Sequence, residues 1–569
     1  RKPCIHPAAV TIPPFLIFVD AVPRGLGNIV AAALRPVTQH ARSAAVHPSI
    51  NRKSGRRGSR IPRDPLLPGL LGLVGTCLVV ATAGRLALRE GVEPPTGWLG
   101  LLAPVHLDRA SALPAFMLTG VALTLGAWLY LCLLASRGVV SLRGTVIILA
   151  GWFLPAAAGP PILSLDVYSY VAQGAMLNAD LNPYRSGPII LGDHPSLLAS
   201  DPVWRMSRAP YGPLALGLLK AVYALSGDSV LAAVVILRIV AFAGVVIIVA
   251  CVTRAADPPR RPLAVAVAAS PIMIMQLLGA VHLEAIMVAL LSAGLLAARA
   301  RRPALALVLL TSAAAVKWPA AFAIVAVIVW HAVQPSPART DESGWAHPSR
   351  RTRPFRWAHP SRCNGVRSVA RDAAVVTVSG LFLVLLVPDG LGWLRSVSTP
   401  AAGLTLYAPT VGLADALTRL GDITNARIEF AEALSVTRTA GIVLTAAVML
   451  RLLATIRGRD IAATVGWGLL TLSVLGPVLY PWYLTWGLLP LAMAMNRQRL
   501  RVVITVSAIG AFLALPHCEL LFADLPGATP WLQRQAPAIA ISTLTLVSIF
   551  TVALVRWRDD WSGAATLER

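Results

Sequence analysis

The chain is expected to fold as an all-α integral membrane protein with about fourteen transmembrane helices and a large first extracytoplasmic loop that carries short interfacial helices. Three observations predict this. Of 569 residues, 56% are apolar and only 13% charged, against roughly 45–50% and 25% in soluble domains. The apolar residues gather in stretches suited to a hydrocarbon core about 30 Å thick. Basic residues cluster in the short connections between those stretches. The net charge of +24 therefore reads as an orientation signal with anionic headgroups as incidental partners, and not as a nucleic-acid surface.

Spans are expected near 66–84, 113–135, 144–163, 229–252, 263–279, 284–298, 303–316, 319–333, 372–388, 436–453, 461–478, 482–495, 502–516 and 537–555. With alternate connections assigned to the cytoplasm, 36 of the 50 Lys and Arg residues fall on that side, as the positive-inside rule requires. Gly212 to Ser226 is apolar, but counting it as a span would invert the charge pattern, so it reads as a re-entrant or interfacial helix. The expected layout is a basic cytoplasmic tail over 1–64, a catalytic membrane domain over 65–556 and a cytoplasmic tail over 557–569. Within the domain, 164–228 and 389–435 are outer loops and 334–371 is a basic inner loop. The first 64 residues lack the apolar core and small-residue cleavage site of a signal peptide.

The six cysteines, Cys4, Cys77, Cys132, Cys251, Cys363 and Cys518, place only one on the outer side, which leaves no disulfide framework or paired metal site there. The inner loop repeats WAHPSR at Trp345–Arg350 and Trp357–Arg362. Its isolated His347 and His359 lack the further ligands a closed metal site needs.

The polar motifs gather on the predicted outer face. Asp166 to Tyr170 (DVYSY) follows the third span, and the loop continues through Tyr184, Asp193, His194, Trp204, Arg208 and Tyr211. A carboxylate just beyond a span can accept a proton from a sugar hydroxyl while rings such as Tyr168 and Tyr170 lie on apolar sugar faces; a capping Asp within an aromatic belt gives the same pattern. His282 and Glu284 open another span, where an ionisable pair is expensive unless it meets a partner or a wet cavity. Lys317 beside Trp318 suits a lipid phosphate at headgroup depth. Arg238, ten residues into its span, requires an acidic partner or an anion. Tyr480, Trp482 and Tyr483 form another outer turn, and the outer loop over 389–435 adds Arg427 without recognisable order. No Walker loop, dinucleotide fingerprint, HExxH or GxSxG is present.

DVYSYVAQG (166–174), LNPY (181–184), APYGPL (209–214), HLEAIM (282–287) and YPWYLTW (480–486) together resemble the actinobacterial polyprenol-phosphomannose-dependent alpha-1,6-mannosyltransferases, integral-membrane enzymes of the GT-C class. The resemblance runs from about residue 66 to 556. It implies a GT-C bundle in the plasma membrane with both termini cytoplasmic and an extracytoplasmic site. The donor would be polyprenyl-phosphomannose and the acceptor a mannan, in lipomannan and lipoarabinomannan backbone synthesis.

The resemblance further places the base at Asp166 and donor-phosphate contacts at Lys317, Arg208 and Arg427. Tyr168, Tyr170, Tyr184, Asp193, His194, Tyr211, His282, Glu284, Tyr480, Trp482 and Tyr483 would contact sugar or acceptor. Many relatives carry a second acid where this chain has Tyr168, so no cofactor or catalytic metal is expected. A lipid-linked sugar flippase or a transferase for another polyprenyl-linked sugar, such as arabinofuranose, shares much of this pattern.

Overall fold

A computed structural model describes residues 64–86, 113–334, 362–402 and 408–513. Among the described residues every regular element is helical, the arrangement that satisfies backbone N–H and C=O groups where no water reaches. The described residues from Pro65 onward lie in one compact unit. The expected tails, the WAHPSR repeat and the expected span at 537–555 lie outside the described residues.

The chain opens with α1 (Leu66–Leu86), α2 (Leu113–Ser136) and α3 (Leu142–Ala158). Ser141 caps α3 by accepting from the Gly144 N–H, and the Trp152 indole donates to Gly69 O at 2.9 Å, fixing α3 against α1. The first long loop is built from α4 (Asp166–Asn178), α5 (Pro195–Ala199), α6 (Pro202–Arg205) and α7 (Pro213–Ser226). The segment expected to be re-entrant is α7, which starts with proline at N1 and stops at the left-handed Gly227, as helix-end chemistry favours.

Beyond it run α8 (Val230–Ala255), α9 (Arg261–Ala268), a π-helix (Met273–Gly279), α10 (Glu284–Arg299), α11 (Pro303–Val316) and α12 (Ala321–Val333). The remainder is α13 (Arg362–Val384), α14 (Pro409–Thr424), α15 (Phe430–Ala454), α16 (Ile461–Leu475), α17 (Leu484–Met493) and α18 (Arg497–Leu513).

Each of the first thirteen expected spans overlaps a helix within the described residues. Among the described residues, four helices are long and apolar enough to cross a membrane unaided: Leu66–Ala83, Phe116–Ser136, Val230–Ala255 and Phe430–Ala454. A fifth crossing forms if Pro258–Ala268 and Met273–Gly279, bent by 63°, count as one. Five shorter apolar helices accompany them, and together these mark a membrane protein. A sliding hydropathy window passes over a break such as Ser270-Pro271, which explains why it yields more full spans than the helix lengths do.

Burial separates the inside of the bundle from its rim. Every residue of α17 and of the π-helix is buried, whereas Leu381 and Phe382 on α13 and Val436 and Val443 on α15 are exposed. Apolar side chains turned outward on peripheral helices fit a hydrocarbon surround.

The loop over 389–435, in which no motif is recognised, contains α14, bounded by Pro409 at N1 and by Asn425 in the left-handed region. Arg238 is buried within the bundle. Its guanidinium donates to the carbonyls of Ala157, Gly159 and Gly279. The end of α3 offers carbonyls that lack an intrahelical partner, and their dipoles help offset the buried charge.

Candidate active site

The expected residues converge because three helix ends meet. Asp166 starts α4 and Glu284 starts α10, where acidic groups favour the helix dipole, and Lys317 follows the end of α11, where a cation does. Pro319 prevents α11 from running straight on. Val281 adopts φ 59° and Leu163 φ 64°, a region rarely occupied by such side chains and concentrated at functional sites. Val281 directly precedes His282. The π-helix lies just upstream, a bulge type also frequent at such sites. Ile162 N–H donates to Gly279 O at 3.2 Å, binding the entry to α4 onto that turn.

Asp166 faces a cleft of about 480 Å³ that opens to the exterior. Its Oδ1 accepts from the Trp204 indole N–H at 2.9 Å, and its Oδ2 lies 3.6 Å from His282 Nδ1. The same imidazole nitrogen is 3.3 Å from the Tyr170 hydroxyl, which the Tyr211 hydroxyl reaches at 3.5 Å. Burial raises the Asp166 carboxyl to about 7, and the negative charges of Asp201 and Glu284 reinforce it against the opposing Lys317 ammonium and Trp204 hydrogen bond. The acid nearest in effect is thus Asp201, thirty-five positions along the chain, rather than a residue at the Tyr168 position.

Lys317 is buried, and its ammonium pairs with Glu284 Oε1. Three rings surround it: Tyr483 at 4.5 Å, Trp486 at 5.4 Å and Tyr211 at 5.5 Å from the nitrogen. Such contacts hold a desolvated cation in place. Trp482 stacks on His282 at 3.8 Å and on Tyr480 at 4.8 Å, and Tyr483 stacks on Trp486 at 4.0 Å. These rings spend faces on the imidazole and the ammonium, so they build the wall that positions His282 and Lys317 and present mainly edges to a ligand.

Of the expected residues, Asp166, Tyr170, Arg208, Tyr211, Lys317, Tyr480, Trp482 and Tyr483 line the cleft. His282 and Glu284 stand directly behind it through the contacts above. Tyr184 is support: its hydroxyl donates to Tyr211 O at 3.0 Å.

The others lie elsewhere. Tyr168 is buried under the influence of Arg238. His194 caps α5, accepting from Ser196 N–H, and its other ring nitrogen meets the Tyr223 hydroxyl at 3.0 Å. Asp193 is exposed beside it, and Arg427 is exposed in the link between α14 and α15. None of these four lines the cleft.

Sequence reasoning omitted from the site Ser169, Gln173, Trp204, Ser207, Pro210, Thr399 and Pro400, which do line it. The first two were detectable, since Asp166, Ser169, Tyr170 and Gln173 follow the i, i+3, i+4, i+7 spacing of one helix face. Among the described residues no group of three or more His, Cys, Asp or Glu side chains is placed to hold a metal ion.

Comparison with known proteins identifies the chemistry. The family model described as alpha-(1→6)-mannopyranosyltransferase, N-terminal domain, matches residues 69–334, and the MptB C-terminal domain matches 404–526. Alpha-(1→6)-mannopyranosyltransferase A of Mycobacterium tuberculosis is 30% identical over 457 residues, covering 78% of this chain and 82% of the relative. Alpha-(1→6)-mannopyranosyltransferase B of Corynebacterium glutamicum is 30% identical over 410 residues, covering 67% and 64%. No solved structure matches the chain. The protein is a helical membrane glycosyltransferase of the hexosyl-transferring type. It belongs to the alpha-(1→6)-mannopyranosyltransferase family and is a mannosyltransferase.

Proposed function

We propose that the chain is a GT-C transferase that moves mannose from polyprenyl-phosphomannose to a mannan acceptor, forming an alpha-1,6 bond with inversion. The reaction would take place on the extracytoplasmic face of the plasma membrane, in lipomannan and lipoarabinomannan backbone synthesis. Asp166 accepts the proton of the acceptor 6-hydroxyl as that oxygen attacks the anomeric carbon, and the bond from that carbon to the phosphate oxygen breaks. Lys317 and Arg208 hold the departing polyprenyl phosphate, whose single phosphate they serve in place of a metal ion.

The single observation that carries this reading is the shared cleft: a carboxylate raised to about 7 and a buried ammonium open into one space. A base needs a pKa near the working pH, and a developing phosphate monoester anion needs a fixed cation. The opposite ends of the same helices support the sidedness. There Arg299 pairs with Asp460 and donates to Met493 O at 2.8 Å, with Arg499 nearby on Ala494 O, so arginines collect where the positive-inside rule puts the cytosol.

Purified protein given labelled polyprenyl-phosphomannose and an alpha-1,6-oligomannoside should extend the acceptor. Asp166→Asn should lower turnover by about 10²- to 10⁴-fold with folded protein retained. Turnover unchanged in that variant would remove Asp166 from the role of base.

A further inference from the structure

Two polar side chains in the cleft carry an oxygen without a hydrogen-bond partner among the described residues. Ser169 and Gln173 are buried, at 3% and 5% exposure, yet Ser169 Oγ and Gln173 Oε1 make no hydrogen bond among the described residues. Leaving a buried polar atom unsatisfied is destabilising, and such atoms call for an explanation in a ligand, a water or strain. Many helical hydroxyls in the bundle satisfy themselves locally, and Ser169 does not. The hydroxyls of Thr124, Thr145 and Ser473, each inside or at the start of a helix, return to the carbonyl four residues earlier at 2.8–3.0 Å.

Both residues line the same cleft as Asp166 and share its face of α4. Ser169 lies one turn and Gln173 two turns further along, at a rise of about 1.5 Å per residue. The row from Asp166 to Gln173 is therefore roughly 10 Å long, enough for a sugar ring whose reacting hydroxyl or anomeric centre lies at the carboxylate. Opposite stands the wall of Tyr480, Trp482 and Tyr483, whose faces are largely taken up by His282, Lys317 and one another. Ring stacking then cannot supply all of the sugar recognition, and hydrogen bonds from the α4 side are needed.

We propose that Ser169 and Gln173 form a hydroxyl-binding subsite for a pyranose ring, with the serine hydroxyl and the glutamine amide engaging adjacent secondary hydroxyls of the sugar held against Asp166. This rests on the transferase reading above and extends it to the residues that select the sugar. A site built to bond hydroxyls penalises an analogue that lacks them, because its own polar groups are then left unpaired.

The test uses full-length protein in detergent with two soluble probes, alpha-1,6-mannobiose for the acceptor and mannose 1-phosphate for the donor head. Affinity is followed through intrinsic tryptophan fluorescence. Wild type should bind at least one probe, and which one binds assigns the subsite to acceptor or donor sugar. Ser169→Ala and Gln173→Leu should each weaken that probe by about 5- to 10-fold, the loss of roughly one net hydrogen bond. Their thermal midpoints should be unchanged or higher, because an apolar replacement removes an unsatisfied polar atom. A deoxy analogue lacking the bonded hydroxyl should bind wild type and variant alike, closing the cycle.

Binding unaltered in both variants, or no binding of either probe by wild type at millimolar concentration, overturns the subsite. A lowered thermal midpoint together with weaker binding would also overturn it, by showing that the two residues support the fold. If the probes bind as expected but polyprenyl-phosphomannose yields no product, the donor assignment fails and the subsite stands.

Discussion

Asp166 holds a charge that its surroundings oppose, and both reactivity and stability follow from that. With the carboxyl raised from 3.8 to about 7 chiefly by burial, the base form is scarce below neutrality. The kcat/KM for transfer should climb about tenfold per pH unit up to near 7 and then level off, which a pH series on purified protein checks. The folded pKa lies above the unfolded one, so between about 4 and 7 the folded chain keeps a proton that the unfolded chain has released, and stability falls as pH rises through that window. Asp166→Asn keeps an oxygen for the Trp204 N–H and removes the charge. Its thermal midpoint in detergent should exceed wild type at pH 8 and match it near pH 4, and equal midpoints at pH 8 would show that the carboxylate is well solvated.

At this scale much was legible. Asp166, Lys317, Tyr211 and Tyr483 stand out in sequence as polar groups beside apolar stretches, where carrying them is costly without a purpose. The pairing of Lys317 with Glu284 and of Asp166 with Trp204 was not legible, since each joins residues more than thirty positions apart. His194 misled for a plain reason: a histidine at a turn looks the same in sequence whether it caps a helix or meets a sugar.

Among the elements, α4 carries the largest share of the site and depends on how closely it packs on α7. Gly174 permits the approach, since a Cβ there would lie 2.5 Å from Leu219 O and 3.0 Å from Tyr223 Cβ. Backbone cannot yield to it as a flexible side chain could. Gly174→Ala should push α4 off α7, cost about 1–3 kcal/mol as overpacking does, and reduce transfer by shifting Asp166, Ser169 and Gln173 together. Gly151→Ala on α3, with nothing within 4 Å of the added carbon, is the matched control and should leave both midpoint and transfer intact. Equal behaviour of the two variants would show that the α4–α7 contact has slack. Helix positions were readable from apolar runs and from stops such as Gly227 and Pro319, whereas the π-helix and the left-handed Val281 were not. Local propensity runs against both conformations, and the end of the π-helix at Gly279 is held from afar, by the Ile162 N–H and the Arg238 guanidinium.

For the whole molecule, the consequential question is which face the cleft opens on. An introduced thiol at the exposed Asp193 should react with an impermeant maleimide in intact cells, in a cysteine-free background. A thiol at the exposed Arg457 should react only after permeabilisation, and the reverse pattern would place the chemistry on the cytosolic side.

The helical membrane class, most membrane-helix positions and the family were all readable along the chain, because composition, apolar run length and motif content are properties of residues taken in order. The packed fold was needed to show which polar residues meet, that Asp201 is the acid acting most strongly on Asp166, that the aromatic rings hold a lysine and a histidine, and that Ser169 Oγ and Gln173 Oε1 lack a partner among the described residues of the cleft. Those outcomes depend on distances between segments far apart in the chain, and close packing of helix against helix fixes such distances while leaving no local mark in the sequence.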